Sequence, residues 1–165
     1  MNKFLIAAVL TGTTLLGCQS NSSPNTQTSS ETNYTTIATS VAMAALQAWS
    51  TQGNLDSALI ESIQGVTNVS TDQAIGGVGS LLALAQNTLK PSQNNELGSL
   101  VPGYEALENS GLTSMITTSS AVDSAFSSLG MDTSMVNSFS PIIIESLKSQ
   151  GASSSLLSSL GAIWQ

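Results

Sequence analysis

The residues that could do chemistry in this 165-residue chain are few and widely spaced. There is no histidine and only one cysteine, Cys18, so the usual nucleophile–base pairs and zinc ligand sets are missing. Serines are abundant, but no Gly-x-Ser-x-Gly sequence follows a predicted strand, and neither Lys90 nor Lys148 completes a Ser-x-x-Lys pattern. We therefore expect no catalytic residue, no metal site and no cofactor, and predict that the protein is not an enzyme.

The ten carboxylates are scattered along the chain rather than paired. Asp56 and Asp132 stand where helices are predicted to begin, and a negative charge there complements the helix dipole. Glu105 and Glu108 are neighbours on one predicted helix face, which is more typical of a solvated surface than of a catalytic pair. No Asp-x-Asp-x-Asp sequence is present, which argues against a calcium-binding loop.

The glycines at 76, 77 and 79 have two interpretations, a phosphate-binding loop or a close-packed helix face. A phosphate loop needs a preceding strand and a helix that starts at the glycines, whereas Ser70 and Gln73 predict a capped helix start well before them. Apolar residues at helical spacing then define one face of a helix from Ser70 to Lys90: Ala74, Val78, Leu81, Leu82, Ala85 and Leu89. Small residues define the opposite, helix-packing face: Gly76, Gly79, Ser80 and Ala83.

This central helix is expected to be buried on two sides. Because small side chains let two helix backbones approach closely, Gly76 or Gly79 should contact a second helix. The expected partners are the helix over residues 132–149 or the one beginning near Asn54. The methionines at 115, 131 and 135 either line an adaptable groove or fill the core, and core filling is the commoner role of methionine at helical spacing.

Cys18 ends a segment whose pattern indicates lipid attachment. Lys3 and the apolar run over residues 4–16 are typical of a signal peptide and too short to span a bilayer. The sequence ending in Gly17-Cys18, Leu-Leu-Gly-Cys, resembles the lipobox of bacterial lipoproteins, in which the peptide is cut between these two residues and the cysteine is then acylated. The alternative is an ordinary cleaved signal peptide with an incidental cysteine.

Lipidation would anchor the protein to a membrane through Cys18, since two or more acyl chains hold stably where one does not. Gln19 follows the cysteine, and by resemblance to enterobacterial sorting rules this favours the periplasmic face of the outer membrane. Residues 1–17 are thus the predicted lipoprotein signal peptide, and residues 18–33 the lipidated cysteine with a disordered tether. Residues 19–33 contain no large apolar side chain, and such a coil spans roughly 20 Å.

The charge balance argues against partners that bind through their negative charge. The chain has three lysines, no arginine and a formal net charge of −7. Phosphate backbones require clustered cations, so we expect no nucleic acid partner. For the same reason, we expect no electrostatic attraction of the protein to anionic lipid head groups.

From Tyr34 to the end, apolar residues recur at helical spacing and no stretch alternates with period two. Residues 34–165 are therefore predicted to form a compact all-α domain of about six or seven short helices. Two cap residues are predicted, Asn54 and Ser92, and Pro141 should bend or break its helix with Ser140 outside the helical region. The first helix carries a stripe of Val41, Ala42, Ala45, Leu46 and Trp49, and the second carries Leu55, Leu59, Ile60, Ile63 and Val66.

Two segments align at an offset of 62 residues, residues 69–74 over residues 131–136. Each has an apolar residue before a predicted N-cap, followed by a helix of similar length, and the same alignment places Gly79 over Pro141. Either the domain consists of two related helical-hairpin halves, or two capped amphipathic helices align by chance.

Several elements in order resemble the VcgC/VcgE family of uncharacterised bacterial proteins. They are V-S-x-x-Q-A-x-G-G-x-G-x-L-L-x-x-A over Val69–Ala85, L-x-x-x-V-P-G over Leu97–Gly103, and the segment from Leu129 to Pro141. The resemblance implies a helical, envelope-associated domain, and the family offers no catalytic residues to transfer. This chain departs from it in the serine- and threonine-rich stretches 117–120 and 153–159.

The function expected from these features is a non-enzymatic structural or interaction module, tethered to the outer membrane and bound to an unidentified envelope protein. The alternative is a carrier or sensor that holds a small apolar ligand or acyl chain between the two halves. A closed core favours the first, and an apolar pocket with a few convergent polar groups favours the second.

Overall fold

The computed structural model describes residues 56–165. The predicted signal peptide, Cys18, the tether and the first apolar stripe lie outside the described residues. Residues 56–165 form a compact domain of eight α-helices and one 3₁₀ turn without a strand, which confirms the all-α prediction. The helices are α1 Ser57–Thr67, α2 Thr71–Thr88, α3 Pro91–Leu100, α4 Tyr104–Asn109, α5 Leu112–Met115, α6 Ser119–Ser128, α7 Val136–Ser149 and α8 Ser154–Ile163, with the 3₁₀ turn at Thr133–Met135.

The central helix α2 begins where the sequence predicts. Ser70 is its N-cap: the Ser70 hydroxyl accepts from the backbone N–H of Gln73 at 3.2 Å, and the Gln73 side chain accepts from the Ser70 N–H at 2.9 Å. This reciprocal pair satisfies two donors that a helix start would otherwise leave free. Every residue from Gly76 to Ala85 is buried, so α2 is surrounded by the other helices along most of its length.

Two predicted helix starts are each wrong by two residues. Asp56, not Asn54, caps α1, and its carboxylate accepts from the N–H of Ala58 at 3.0 Å. Pro91 is the first residue of α3 after the cap Lys90, so Ser92 lies inside the helix. Proline suits that first position because its missing N–H would have no helical partner there. Val66, predicted to belong to the α1 stripe, is 67% exposed.

The predicted break at Pro141 is also wrong, since α7 continues through it and Ser140 is buried within the helix. Proline removes one helical hydrogen bond, the one to the carbonyl of residue 137. Asn137 and Pro141 are both exposed, so water can satisfy that carbonyl. The opposite face of α7 buries Phe139 and Ile143, and this packing holds the helix together.

The described helices form two similar three-helix units, α1–α2–α3 and α6–α7–α8, joined by α4 and α5. Equivalent features lie 62 residues apart: the N-caps Asp56 and Thr118, the left-handed residues Asn68 and Gly130, and the N-caps Ser70 and Asp132. Helix α1 of the first unit packs on α7 of the second, and α6 of the second unit packs on α2 of the first. A two-fold rotation that relates the units produces this pattern of contacts.

Residues related by the same offset meet where such an axis would pass. A side chain at Gly77 would come within 2.5 Å of the ring of Phe139, its counterpart. The Gln93 amide donates to the backbone carbonyl of Ser155, also its counterpart, at 3.2 Å. The Phe139 ring also packs edge-on against Phe126, with centroids 5.2 Å apart. The core therefore lies between the units, and Trp164 closes it by donating to the carbonyl of Leu81 at 2.9 Å.

Candidate functional site

A groove of about 530 Å³ lies between α1 and α7. It lies between the two units, directly beside Asp56, where the described residues begin. Its walls come from one face of each helix: Asp56, Ala58, Leu59 and Ser62 on α1, and Pro141, Ile142, Glu145, Ser146 and Ser149 on α7. Most of the lining is therefore apolar or hydroxyl-bearing.

Local sequence explains why these side chains face the groove. The buried stripe of α1, Leu59, Ile60 and Ile63, fixes that helix against the core and leaves Ala58 and Ser62 exposed. On α7 the stripe of Phe139, Ile143 and Leu147 does the same and leaves the groove residues on the outer side. Two helices that each bury one stripe thus leave a shared valley along their outer edges.

Two carboxylates, Asp56 and Glu145, are the charged groups of the lining. The ammonium of Lys148 lies 3.3 Å from a Glu145 oxygen, and both side chains are mostly exposed. Such an exposed pair contributes little to stability. The groove therefore offers an apolar floor with a mildly acidic rim and no cation in its lining.

The residues equivalent to the α7 side of this groove lie on α2 and are covered. We call Gly79, Ser80, Ala83, Leu84 and Asn87 the covered face of α2. The first four of these residues are buried, and the Asn87 amide donates to the carbonyls of Thr113 at 2.5 Å and Ile116 at 2.9 Å. Helix α5 and the residue after it thus seal in the first unit the surface that residues 56–165 leave open in the second.

The predicted helix-packing residues Gly76, Gly79, Ser80 and Ala83 are all buried on α2. Gly76 faces the Leu129 side chain at the end of α6: a Cβ there would lie 2.6 Å from a Leu129 methyl group. For Gly76 the neighbour is thus the side chain of the α6 C-cap rather than the backbone of α1 or α7. Gly77, which the pattern had not singled out, accommodates Phe139 of α7. Ser80 donates to the Gly76 carbonyl at 2.8 Å, which satisfies its buried hydroxyl.

A cluster of hydrogen-bonded polar side chains joins α2, α3 and α4. The Tyr104 hydroxyl donates to the Asn94 side chain at 3.0 Å, and the Asn94 amide donates to the Gln86 carbonyl at 2.8 Å. The Gln86 amide donates to Glu108, so Glu108 holds α4 on α2 rather than pairing with Glu105. Burial, and secondarily the charge of Glu108, raises the pKa of Tyr104 above its usual value. The hydroxyl stays protonated and acts as a structural donor.

The described residues contain no group of three or more histidine, cysteine or acidic side chains arranged to hold a metal ion. None of the helices between residues 56 and 165 combines the length and hydropathy needed to cross a membrane. The three methionines differ in burial: Met131 is in the core, while Met115 and Met135 are partly exposed. The groove lining includes none of these three.

Residue-by-residue sequence reasoning missed the groove because its lining is scattered over two helices distant in sequence. One signal could have found it. The 62-residue alignment sets Pro141 against Gly79 and Glu145 against Ala83. Helix α7 thus carries bulky or charged residues at positions where α2 carries small ones. That asymmetry indicates a surface that the first unit covers and the second does not.

The comparison with known proteins identifies the family. The family model described as "Protein of unknown function VcgC/VcgE (DUF2780)" matches residues 13–161. The chain belongs to this family. No curated protein and no solved structure matches the chain. The family match extends over residues 13–55 as well as the described helices, so those residues are part of what the family shares.

Proposed function

We propose that this VcgC/VcgE family member is a non-enzymatic interaction module, tethered by lipid on Cys18 to the periplasmic face of the outer membrane. The observation that carries the interaction role is the open groove between α1 and α7. The groove runs along two helices and has an apolar floor and an acidic rim. These features suit an amphipathic helix from an envelope protein, provided that the buried face of that helix carries no acidic residues. The lipobox-like Leu-Leu-Gly-Cys sequence supports the tether.

The groove is tested by site-specific photo-crosslinking in intact envelopes. A photoreactive residue at Ser62, in the groove, is compared with one at Ser124, its exposed counterpart on α6. The proposal expects an adduct at Ser62 but not at Ser124, joined to an amphipathic segment of the partner and abolished by Ser146→Arg. Equal adducts at both positions, or an adduct that persists with Ser146→Arg, would rule out the groove as the binding surface.

The tether has its own test. Cys18→Ser should abolish labelling of the protein by a fatty-acid probe and release it from the outer-membrane fraction, because no other cysteine is available for acylation. A variant that labels and fractionates like the parent would show that the membrane association has another origin.

The second candidate function, a carrier or sensor of a small apolar ligand or acyl chain, is favoured by the position of the groove between the two units. The lining lacks a cation to neutralise a fatty-acid carboxylate, so an uncharged ligand fits better. Native mass spectrometry of protein purified from envelopes decides between them. A co-purified apolar molecule that Ser146→Arg displaces would support the carrier, and its absence would favour the interaction module.

A further inference from the structure

We propose that a pocket beside Trp164 binds a small primary amine, whose apolar body enters the pocket and whose ammonium group lies at the rim. The pocket has a volume of about 160 Å³ and lies where α6 and α7 begin and α8 ends. We call it the Trp164 pocket. Three observations carry the proposal: an apolar floor, a rim of polar side chains without partners, and a much smaller space at the equivalent place across the two-fold axis.

The floor of the Trp164 pocket is apolar and fixed in position. Six side chains form it: Leu81, Leu84, Val122, Val136, Ile163 and Trp164. Trp164 is buried, and its indole N–H donates to the Leu81 carbonyl at 2.9 Å. This bond holds the ring in place, so the pocket exists before a ligand arrives. An apolar cavity of about 150 Å³ accepts one benzene ring, so the Trp164 pocket has room for a ligand body of that size.

The rim of the pocket carries polar groups that the protein itself leaves unused. Five exposed polar residues form it: Ser119, Asp123, Thr133, Asn137 and Gln165. The Gln165 amide donates to the Gly161 carbonyl at 2.6 Å. The other four side chains make no hydrogen bond or ion pair within residues 56–165. Their oxygen atoms are therefore free to accept hydrogen bonds from a ligand.

The charge of the rim selects the head group of the ligand. Asp123 is the only charged residue in the lining of this pocket, which contains no lysine. An ammonium group has three N–H donors and no acceptor, so it can bind the Asp123 carboxylate together with hydroxyl or amide oxygens of the rim. An anionic ligand would instead be repelled by Asp123. Because Asp123 is exposed, this ion pair is weak, and the apolar floor supplies most of the affinity.

The helix arrangement alone does not produce this pocket. Across the two-fold axis, counterparts of four floor residues line a space of only about 10 Å³, room for at most one water molecule. These counterparts of Ile163, Trp164, Leu81 and Leu84 are Val101, Pro102, Ile143 and Ser146. Leu100 and Leu147 also line the small space, whereas alanines, Ala162 and Ala85, stand at the equivalent positions near the Trp164 pocket. Smaller side chains thus accompany the larger space.

A titration of the full chain, followed by the NMR signal of the Trp164 indole N–H, tests the proposal. Trp49→Phe leaves Trp164 as the only tryptophan, so the spectrum contains one indole signal. Three ring compounds of similar size serve as probes: benzylamine, benzyl alcohol and benzoate. Benzylamine should shift the signal saturably and bind about 2- to 5-fold more tightly than benzyl alcohol, which is the range for an exposed ion pair. Benzoate should bind most weakly.

Four variants locate the site and the origin of the preference. Asp123→Asn should abolish the preference for benzylamine over benzyl alcohol. Glu61→Gln, at the exposed counterpart of Asp123 on α1, removes the same charge from the chain and should preserve that preference. Val136→Phe should fill the pocket and abolish the shift by all three compounds, whereas Ser146→Arg, in the α1–α7 groove, should leave the shift unchanged.

Several results would overturn the proposal. They are the absence of a saturable shift, tighter binding of benzoate than of benzylamine, and equal effects of Asp123→Asn and Glu61→Gln. Loss of binding in Ser146→Arg would place the ligand in the α1–α7 groove and would also overturn it. Because Asp123 is exposed, Asp123→Asn should fold normally, so the head-group test holds where Val136→Phe does not fold.

Discussion

The covered face of α2 and the groove beside α7 occupy equivalent places in the two units, and they differ in side-chain size. Gly79, Ser80 and Ala83 on α2 are all buried, and α2 packs against α5 and α6. The corresponding residues of α7 are Pro141, Ile142 and Glu145, which line an open valley. Within the described part of the chain, the same arrangement of helices therefore gives a sealed face in one unit and an open one in the other.

Substitution of a few residues, rather than a change of fold, therefore separates a structural face from a candidate binding face. Small residues on the covered face gain close packing at a cost to helix propensity of up to about 1 kcal/mol for each glycine. Larger and charged residues on α7 give up that packing and leave polar groups in contact with water.

The largest effect is expected at the axis, where Phe139 fills the space left by Gly77. Phe139 is fully buried, so Phe139→Ala should lower the free energy of unfolding by about 3–5 kcal/mol. Gly77→Leu should cost about 1–3 kcal/mol, because its new side chain would overlap the Phe139 ring. Because the new leucine can enter the space that the ring leaves, the double variant should lose less than the sum of the two. Urea denaturation of all four proteins measures this coupling, and strictly additive losses would show that the two residues do not share one space.

Features that depend on neighbouring residues were largely predictable from the sequence. The capping pair of Ser70 and Gln73 at the start of α2 follows from local backbone chemistry. The buried face of α2 follows from its apolar spacing in the same way. All of these predictions agree with the structure.

Features that depend on packing between distant residues were not predictable in this way. Pro141 lowers local helix propensity, but the burial of Phe139 and Ile143 outweighs that cost and keeps α7 continuous. The fit of Phe139 at Gly77 depends on contact between the two units, which a single helix pattern does not contain. The groove likewise exists only once α1 and α7 lie side by side.

The second-largest effect is expected at two equivalent positions, Ala83 on α2 and Glu145 on α7. Ala83 is fully buried on the covered face, and Ala83→Leu should lower the free energy of unfolding by about 1–3 kcal/mol through overpacking. Its counterpart Glu145 has a side chain that is 73% exposed, so Glu145→Leu should change stability by no more than about 0.5 kcal/mol. Thermal unfolding of the two variants gives the comparison. Similar losses at both positions would mean that the groove side is packed as tightly as the covered face.

The smallest effect concerns the helix caps Ser70 and Asp132, which are equivalent but differ in charge. Ser70→Ala should cost about 0.5–2 kcal/mol at every pH, because a hydroxyl cap does not titrate. The hydrogen bonds from the hydroxyl and the backbone N–H of Ser134 lower the pKa of Asp132. The unfolded chain therefore binds this proton at a higher pH than the folded chain, so the contribution of the carboxylate is full above its ordinary pKa and declines as the pH falls through the folded value. Asp132→Asn should consequently flatten the acid limb of the stability curve below about pH 4, whereas Ser70→Ala should shift the whole curve downward without changing its shape. An acid limb left unchanged by Asp132→Asn would show that the two caps act alike, and that the charge at Asp132 adds nothing to the hydrogen bond that both units share.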